Sequence, residues 1–387
     1  MTPDVRRALV ATFVARTAAN AGLRVVYPFL PAIARGLGVA PAALASLVAI
    51  RNLGGITTPV AARASERYGR RWMMIVAIAA VTVASILSFI TDVFWIAGIG
   101  IIVVGLAKPA FDIPMQAWFG DRVPYDERGR VFGITELTWS VALLVTVPAS
   151  GFLIVLTDWR APFVLVAVLA GCGTFAIIRG IDSDTPLEHV RGKLKLTSPR
   201  VRMLSVALLF SVAAEIPFIV YGQWLEGSFG LSVAGIGTFT LVVVAAELAG
   251  EGLVIAFADR WGLRRMILGG LWGSAAAYSA FALTGSRLLL ATIVVMVWIA
   301  AFEVTIVAAI PFVSELATAR DRLLSLLAVT IAVGRALGAL VGQPLFAAGG
   351  IGLVGFVSAA CVAVSAVLLL EVEEPREAAP SPTSPVQ

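Results

Sequence analysis

The sequence predicts an all-α membrane protein: twelve transmembrane helices arranged as two pseudo-symmetric six-helix bundles. Three observations lead there. Hydrophobic residues make up 59% of the chain and charged ones 14%, against roughly 25% charged in soluble domains. Long apolar runs alternate with short charged connections. The chain also repeats itself: Glu66-Arg67-Tyr68-Gly69-Arg70-Arg71 returns half a chain later as Asp259-Arg260-Trp261-Gly262-Leu263-Arg264-Arg265, and Asp121 with Arg128 returns as Glu315 with Arg322 at nearly the same offset. Repeated halves joined by short charged loops are a common construction of secondary transporters.

The spans follow in order. The first, 8–33, carries Arg16 and Arg24 and no small-residue cleavage pattern, so it is expected to be a retained span and not a signal peptide. Spans 41–62, 72–91, 94–118, 131–155 and 160–178 complete a first bundle, residues 1–178. A cytoplasmic linker at 179–201 leads to a second bundle, 202–370, with spans 202–227, 232–257, 265–284, 288–312, 323–346 and 349–370. Each is long enough to cross a hydrocarbon core of about 30 Å at 1.5 Å per residue. The Glu-, Pro- and Ser-rich stretch 371–387 is expected to be a disordered cytoplasmic tail. Pro109 and Pro114 are expected to distort the fourth span.

Basic residues give the orientation. Arg35, Arg160 and Arg287 are the basic residues of one set of connections, while the other set holds Arg63, Arg67, Arg70, Arg71, Arg122, Arg128, Arg130 and the linker and second-half arginines. Positive residues concentrate on the cytoplasmic side, so a multi-pass protein of the cytoplasmic membrane with both termini inside is expected. Cys172 and Cys361 lie in apolar runs and His189 has no metal-ligand company, which leaves no disulfide framework and no metal site. Gly54-Gly55 and Gly269-Gly270 lack the Walker pattern and suit helix packing. No enzyme, no cofactor and no nucleic-acid partner is expected.

Charges inside spans are costly and mark function by default. Arg16, Asn20, Arg24 and Tyr27 share one face of the first helix within roughly 80°. Arg51, followed by Asn52, sits midway in the second span, and Lys108 and Asp112 stand one turn apart in the fourth, with Glu136 near an end of the fifth. The second half is acidic, with Glu215, Glu247, Glu251 and Glu303 against Arg335. A cationic bundle therefore faces an anionic one. Arg16, Asn20, Arg24, Tyr27, Arg51, Lys108, Glu215, Glu303 and Arg335 are the substrate-binding candidates; Asp112, Glu215, Glu247, Glu251 and Glu303 are the proton-coupling candidates. Arg16 and Arg24 are expected to stand apart from Glu215 and Glu303, leaving room for a zwitterionic or anionic amphiphile between them.

The loop motif and the six-plus-six architecture resemble the major facilitator superfamily, nearest its twelve-helix drug:proton antiporters. The family's Gly-x-x-x-Asp-Arg-x-Gly-Arg-Arg signature maps onto Ala62, Glu66, Arg67, Gly69, Arg70 and Arg71, with glycine and aspartate replaced. In the second half it maps onto Ile255, Asp259, Arg260, Gly262, Leu263 and Arg264, with Arg265 one place beyond. Ile101, Leu143, Val147 and Phe152 depart from antiporter signature positions in the fourth and fifth spans. The resemblance implies gating by Glu66, Arg67, Gly69, Arg70, Arg71, Asp121, Arg128, Asp259, Arg260, Gly262, Arg264 and Arg265, whose contacts would close the cytoplasmic side.

The expectation is alternating-access transport of a small amphiphilic organic solute, as proton-coupled export. Alternatives are organic anion uptake or exchange, lysolipid or lipid translocation, and, from another class, a non-transporting receptor or assembly protein. The expected partners are the solute, protons and membrane lipids, with the chain a monomer. The orientation is open to test: with Cys172 and Cys361 replaced by serine, an impermeant thiol reagent should label Asp158→Cys in intact cells and reach Arg63→Cys only after permeabilisation.

Overall fold

The computed structural model describes residues 1–182, 197–316 and 320–372. His189, most of the expected linker and nearly all of the expected tail lie outside the described residues, as do the side chains of Glu315 and Arg322. The helices are α1 (Pro3–Arg24), α2 (Val26–Gly36), α3 (Pro41–Asn52), α4 (Thr58–Tyr68), α5 (Arg70–Ile90), α6 (Phe94–Arg122), α7 (Tyr125–Val141), α8 (Val147–Leu156), α9 (Ala161–Gly180), α10 (Ser198–Phe229), α11 (Val233–Trp261), α12 (Leu263–Ala280), α13 (Leu288–Glu315) and α14 (Arg320–Leu370).

Ten described helical segments are long and apolar enough to cross a membrane, and the bent pair α1 and α2 makes an eleventh span. The last of the ten, Leu323–Leu370, is 48 residues long, about 72 Å of helix and more than two hydrocarbon thicknesses. It contains non-helical Gly349 and Gly350, the latter at φ 62°. It is therefore two spans, and twelve result.

Three spans are broken in ways that aim side chains. α1 and α2 meet at a 57° bend because Pro28 lacks the N–H that would reach Arg24 O and its ring crowds that carbonyl. The second span passes through a 3₁₀ stretch, Leu53–Thr57. Pro59 donates nothing back to Gly55 O, and the Thr58 hydroxyl donates there instead (2.7 Å). The fifth span contains a π-helical turn, Ala142–Thr146, just before Pro148. The fourth span behaves otherwise than expected: α6 stays helical through Pro109 and Pro114.

Packing rests on small residues, as in other membrane bundles where lipid supplies no hydrophobic drive between helices. Gly334 and Gly338 of α14 lie so close to α10 that a β-carbon on either would sit 2.6 Å from Leu208 O or Val212 O, and one on Gly342 would sit 2.3 Å from Ile219 Cγ2. The glycine pairs noted in the sequence divide: Gly54 presses on Gly105 O and Gly270 on Thr305, while Gly269 faces open space.

The two halves touch chiefly through α2 with α10, α3 with α14, and α8 with α11. These contacts gather toward the end away from the basic loops. Gly222 of α10 approaches Pro28 O, Gly237 of α11 approaches Val147 O, and Arg35 pairs with Glu226 at 3.0 Å. At the basic-loop end, Arg70 pairs with Asp121, Arg71 donates to Ile178 O (2.8 Å) and Arg264 donates to Leu370 O (2.6 Å), each within one half. The far end is thus closed by contacts between halves. A β-carbon at Gly222 would meet Pro28 O at 2.2 Å, a clash that separation of the halves relieves. Gly222→Val should therefore shift spin-label distances across the far end toward longer values while leaving distances within each half unchanged.

Candidate functional site between the halves

The polar face of the first span meets three separate sets of partners. Arg16, only 3% exposed, is held inside the first half: Nε lies 3.1 Å from Asp112 Oδ1, Nη2 lies 2.9 Å from Glu136 Oε1, and Nη1 donates to Thr135 O at 2.6 Å. Lys108 closes the cluster from the other side by pairing with Asp112. Two cations and two carboxylates balance there. Asn20, one turn on, donates to the Thr138 hydroxyl (3.0 Å), and its Oδ1 is buried without a hydrogen-bond partner.

Arg24 crosses the seam. Its Nη2 lies 3.1 Å from Glu247 Oε1 on α11, and its guanidinium stands 5.0 Å from the centre of the Trp139 ring. Lys108 Nζ lies 5.0 Å from the centre of the same ring. Trp139 thus carries two cations, an arrangement favoured by the ring quadrupole. Glu303 on α13 is 8% exposed, and its charged neighbours are Glu247, Arg24 and Glu251. One arginine accordingly answers to an acidic group drawn from two helices of the second half.

The third set lies beyond the bend. Glu215 of α10 is 1% exposed and accepts three hydrogen bonds, one from each of three helices: Tyr27 OH at 2.7 Å, Asn52 Nδ2 at 2.9 Å, and Arg335 Nε at 2.8 Å as an ion pair. Arg335 Nη2 also donates to Tyr27 Oη (2.7 Å). Arg51, 2% exposed, lies behind this group, 5.0 Å from the centre of the Tyr27 ring, and donates to Leu23 O at 3.0 Å; its Nε has no hydrogen-bond partner. An aromatic wall adjoins it, with Phe218 6.2 Å from Tyr27, 4.6 Å from Trp298 and 5.9 Å from Phe302 between ring centres.

The structure brings every substrate and proton candidate named in the sequence into these three groups, but not as separated opposite charges. Arg16 is neutralised within its own half and Arg24 is paired with Glu247, so neither arginine stands as a lone positive charge opposite Glu215 and Glu303. The charge asymmetry of the halves is spent partly in pairing across the seam. Thr135, Thr138 and Trp139 were missed by sequence reasoning; the signal was their position on the α7 turn that carries Glu136.

The loop candidates sit together at the basic end. Gly69 (φ 88°) and Gly262 (φ 80°) make the two tight turns in a conformation that side chains disfavour. Arg128 donates to Gly120 O (2.6 Å), Arg67 lies over Tyr68 at 5.3 Å, and Asp259, Arg260 and Arg265 are exposed. Glu66 is half-buried at the end of α4.

A twelve-span bundle with a polar, ion-paired seam between two repeated halves is the build of a secondary transporter. The chain belongs to the Major Facilitator Superfamily, whose family model matches residues 9–202 and again 203–386. It is a multi-pass membrane transporter of that family and not an enzyme. It is 28% identical over 140 residues to the uncharacterized MFS-type transporter YwfA of Bacillus subtilis (strain 168), a match spanning 36% of this chain and 34% of that protein. It is 24% identical over 295 residues to the class C tetracycline resistance protein of Escherichia coli, covering 68% of this chain and 71% of that one. Among solved structures, a bacterial homolog of the human lysosomal transporter Spinster in an inward-facing, occupied conformation superposes with a TM-score of 0.75 at 13% identity, covering 97% of this chain and 98% of that one. The human organic anion transporter MFSD10 (TETRAN) gives 0.70 at 14% identity, with 95% of this chain and 100% of that one covered. A D-xylose-proton symporter gives 0.76 at 14%, with 96% and 99% covered.

Removing one partner of a buried ion pair costs about 3–5 kcal/mol because the other charge is left uncompensated. Arg16→Gln, which strips Asp112 and Glu136 of their shared cation, should lower the thermal unfolding midpoint by several degrees, and Arg16→Gln with Asp112→Asn should recover part of the loss.

Proposed function

We propose that the protein is a proton-coupled exporter of a small amphiphilic organic solute, working by alternating access between the two halves. The observation that carries this reading is the Arg24–Glu247 pair across the seam, with Glu303 and Glu251 beside it. Opening the far end separates α1 from α11 and takes Arg24 away from Glu247. A buried carboxylate that loses its counter-ion needs a proton or a cationic group in its place. That exchange is the coupling step.

With the basic loops in the cytoplasm, the closed far end makes this arrangement inward-facing. Solute then enters from the cytoplasm and settles against Phe218, Phe302 and Tyr27, with a cationic or zwitterionic group toward Glu303 and Glu247. After the halves rock, protons from outside neutralise the carboxylates and release the solute. On return the protons leave toward the cytoplasm as Arg24 and Glu247 pair again. The cytoplasmic loops carrying Glu66, Asp121 and Asp259 close the inner side in the outward-open state; here Asp121 pairs with Arg70 and Arg264 donates to Leu370 O, each within its own half. The tetracycline resistance relatives support export. An anion held by Arg16 and Arg24 finds less support, since it would have to displace carboxylates already 2.9–3.1 Å from those guanidinium groups.

Tetracycline is the first probe. In liposomes holding the purified full chain, a tetracycline gradient should drive counter-movement of protons, and Glu247→Gln or Glu303→Gln should cut that proton movement at least about ten-fold, the scale of one lost charge interaction. Proton movement unchanged in both variants would defeat the coupling assignment. Tetracycline transport without any proton movement would leave an exporter of another kind.

A further inference from the structure

We propose that the groove between the start of α1 and the end of α9 is a binding site for one anionic phospholipid. This groove, open to the surface, has a volume of about 600 Å³ at the basic-loop end and is lined by Arg6, Arg7 and Arg179 together with Val10, Ala11 and Ala176. It lies on the outer flank of the first half, away from the seam. Three guanidinium groups around one hollow favour a phosphate, which arginine meets with paired N–H donors. Asp4 faces the same group and engages Arg7 at 2.7 Å; Glu127 is taken by the amino group of Met1, also at 2.7 Å. Arg6 and Arg179 are exposed, and Arg179 extends over the Phe175 ring at 5.0 Å.

The shape of the surface selects a lipid over a free phosphate. Val164, Val168, Cys172 and Phe175 recur at helical spacing on one outward face of α9, all exposed, and that stripe ends at Arg179. Val10, 61% exposed, continues the apolar surface on α1. Acyl chains lying on this stripe would place their headgroup in the groove. The close approach of α1 and α9 makes the hollow a fixed one: a β-carbon at Gly180 would meet Ala11 Cβ at 2.7 Å, and one at Gly173 would meet Ala15 Cα at the same distance.

The test is native mass spectrometry of the purified full chain titrated with phosphatidylglycerol or phosphatidylcholine. The parent should retain a first phosphatidylglycerol and not phosphatidylcholine, and the triple variant Arg6→Gln, Arg7→Gln, Arg179→Gln should bind it at least about ten-fold more weakly, each basic residue near a lipid surface contributing roughly 1 kcal/mol. A charge-matched control, Arg63→Gln, Arg122→Gln, Arg130→Gln, should bind like the parent. Val10→Trp keeps all the charges and fills the groove, and should also lose the lipid. Equal loss in the control triple, equal retention of phosphatidylcholine, displacement by excess inorganic phosphate, or full affinity in a folded Val10→Trp protein would each overturn the proposal.

Discussion

A carboxylate buried in the seam, Glu215, constrains how the two halves meet. At 1% exposure it cannot keep its charge without partners, and those partners are Tyr27 and Asn52 from the first half and Arg335 from its own. Any movement that opens the far end must take Tyr27 and Asn52 away. Arg335 stays behind with Glu215, so the carboxylate passes from a complete to a partial set of partners. The bend at the α1–α2 junction and the 3₁₀ stretch after Asn52 exist where Tyr27 and Asn52 have to be aimed at it.

The ion pairs sort by which body they belong to. Arg16, Lys108, Asp112 and Glu136 all come from the first half, and rigid rocking leaves their bonds intact. Arg24 with Glu247, and Arg35 with Glu226, join different halves, and the proposed rocking would break them. The first set ties one bundle together; the second ties the two bundles to each other. A transporter needs both, since a bundle that loosened with each cycle would spend the motion on itself instead of on the seam.

Much of this was legible in the sequence because membrane burial makes charge rare. With few charged residues, each one inside a span stood out, and the repeat of the acid-Arg-aromatic-Gly motif showed two halves. Helical periodicity placed Arg16, Asn20, Arg24 and Tyr27 on one face. What periodicity could not supply was the partner. Arg16 and Arg24 look alike on the helix, yet one is bonded to α6 and α7 and the other to α11, a difference made by the neighbours that tertiary packing delivers. Trp139 was hidden for the same reason, as a tryptophan in a span has many uses. Pro28 and Pro148 behaved as helix breakers and Pro109 and Pro114 did not, because local sequence does not say whether surrounding helices absorb the lost hydrogen bond.

The π-helical turn at Ala142–Thr146 carries a consequence for how this span can vary. A π turn holds one residue more than the α-helix would need over the same rise. It divides the fifth span into a face before it, where Thr135, Thr138 and Trp139 attend the arginines, and a face after it, where Gly151 packs on Gly237. Loss of a single residue from the turn would let it close to regular helix over the same rise, and the two faces would keep their phase. A loss from the regular helix on either side would instead swing one segment against the other by about 100°, the angle per residue of an α-helix. The turn is where this span can change its length without changing its wiring.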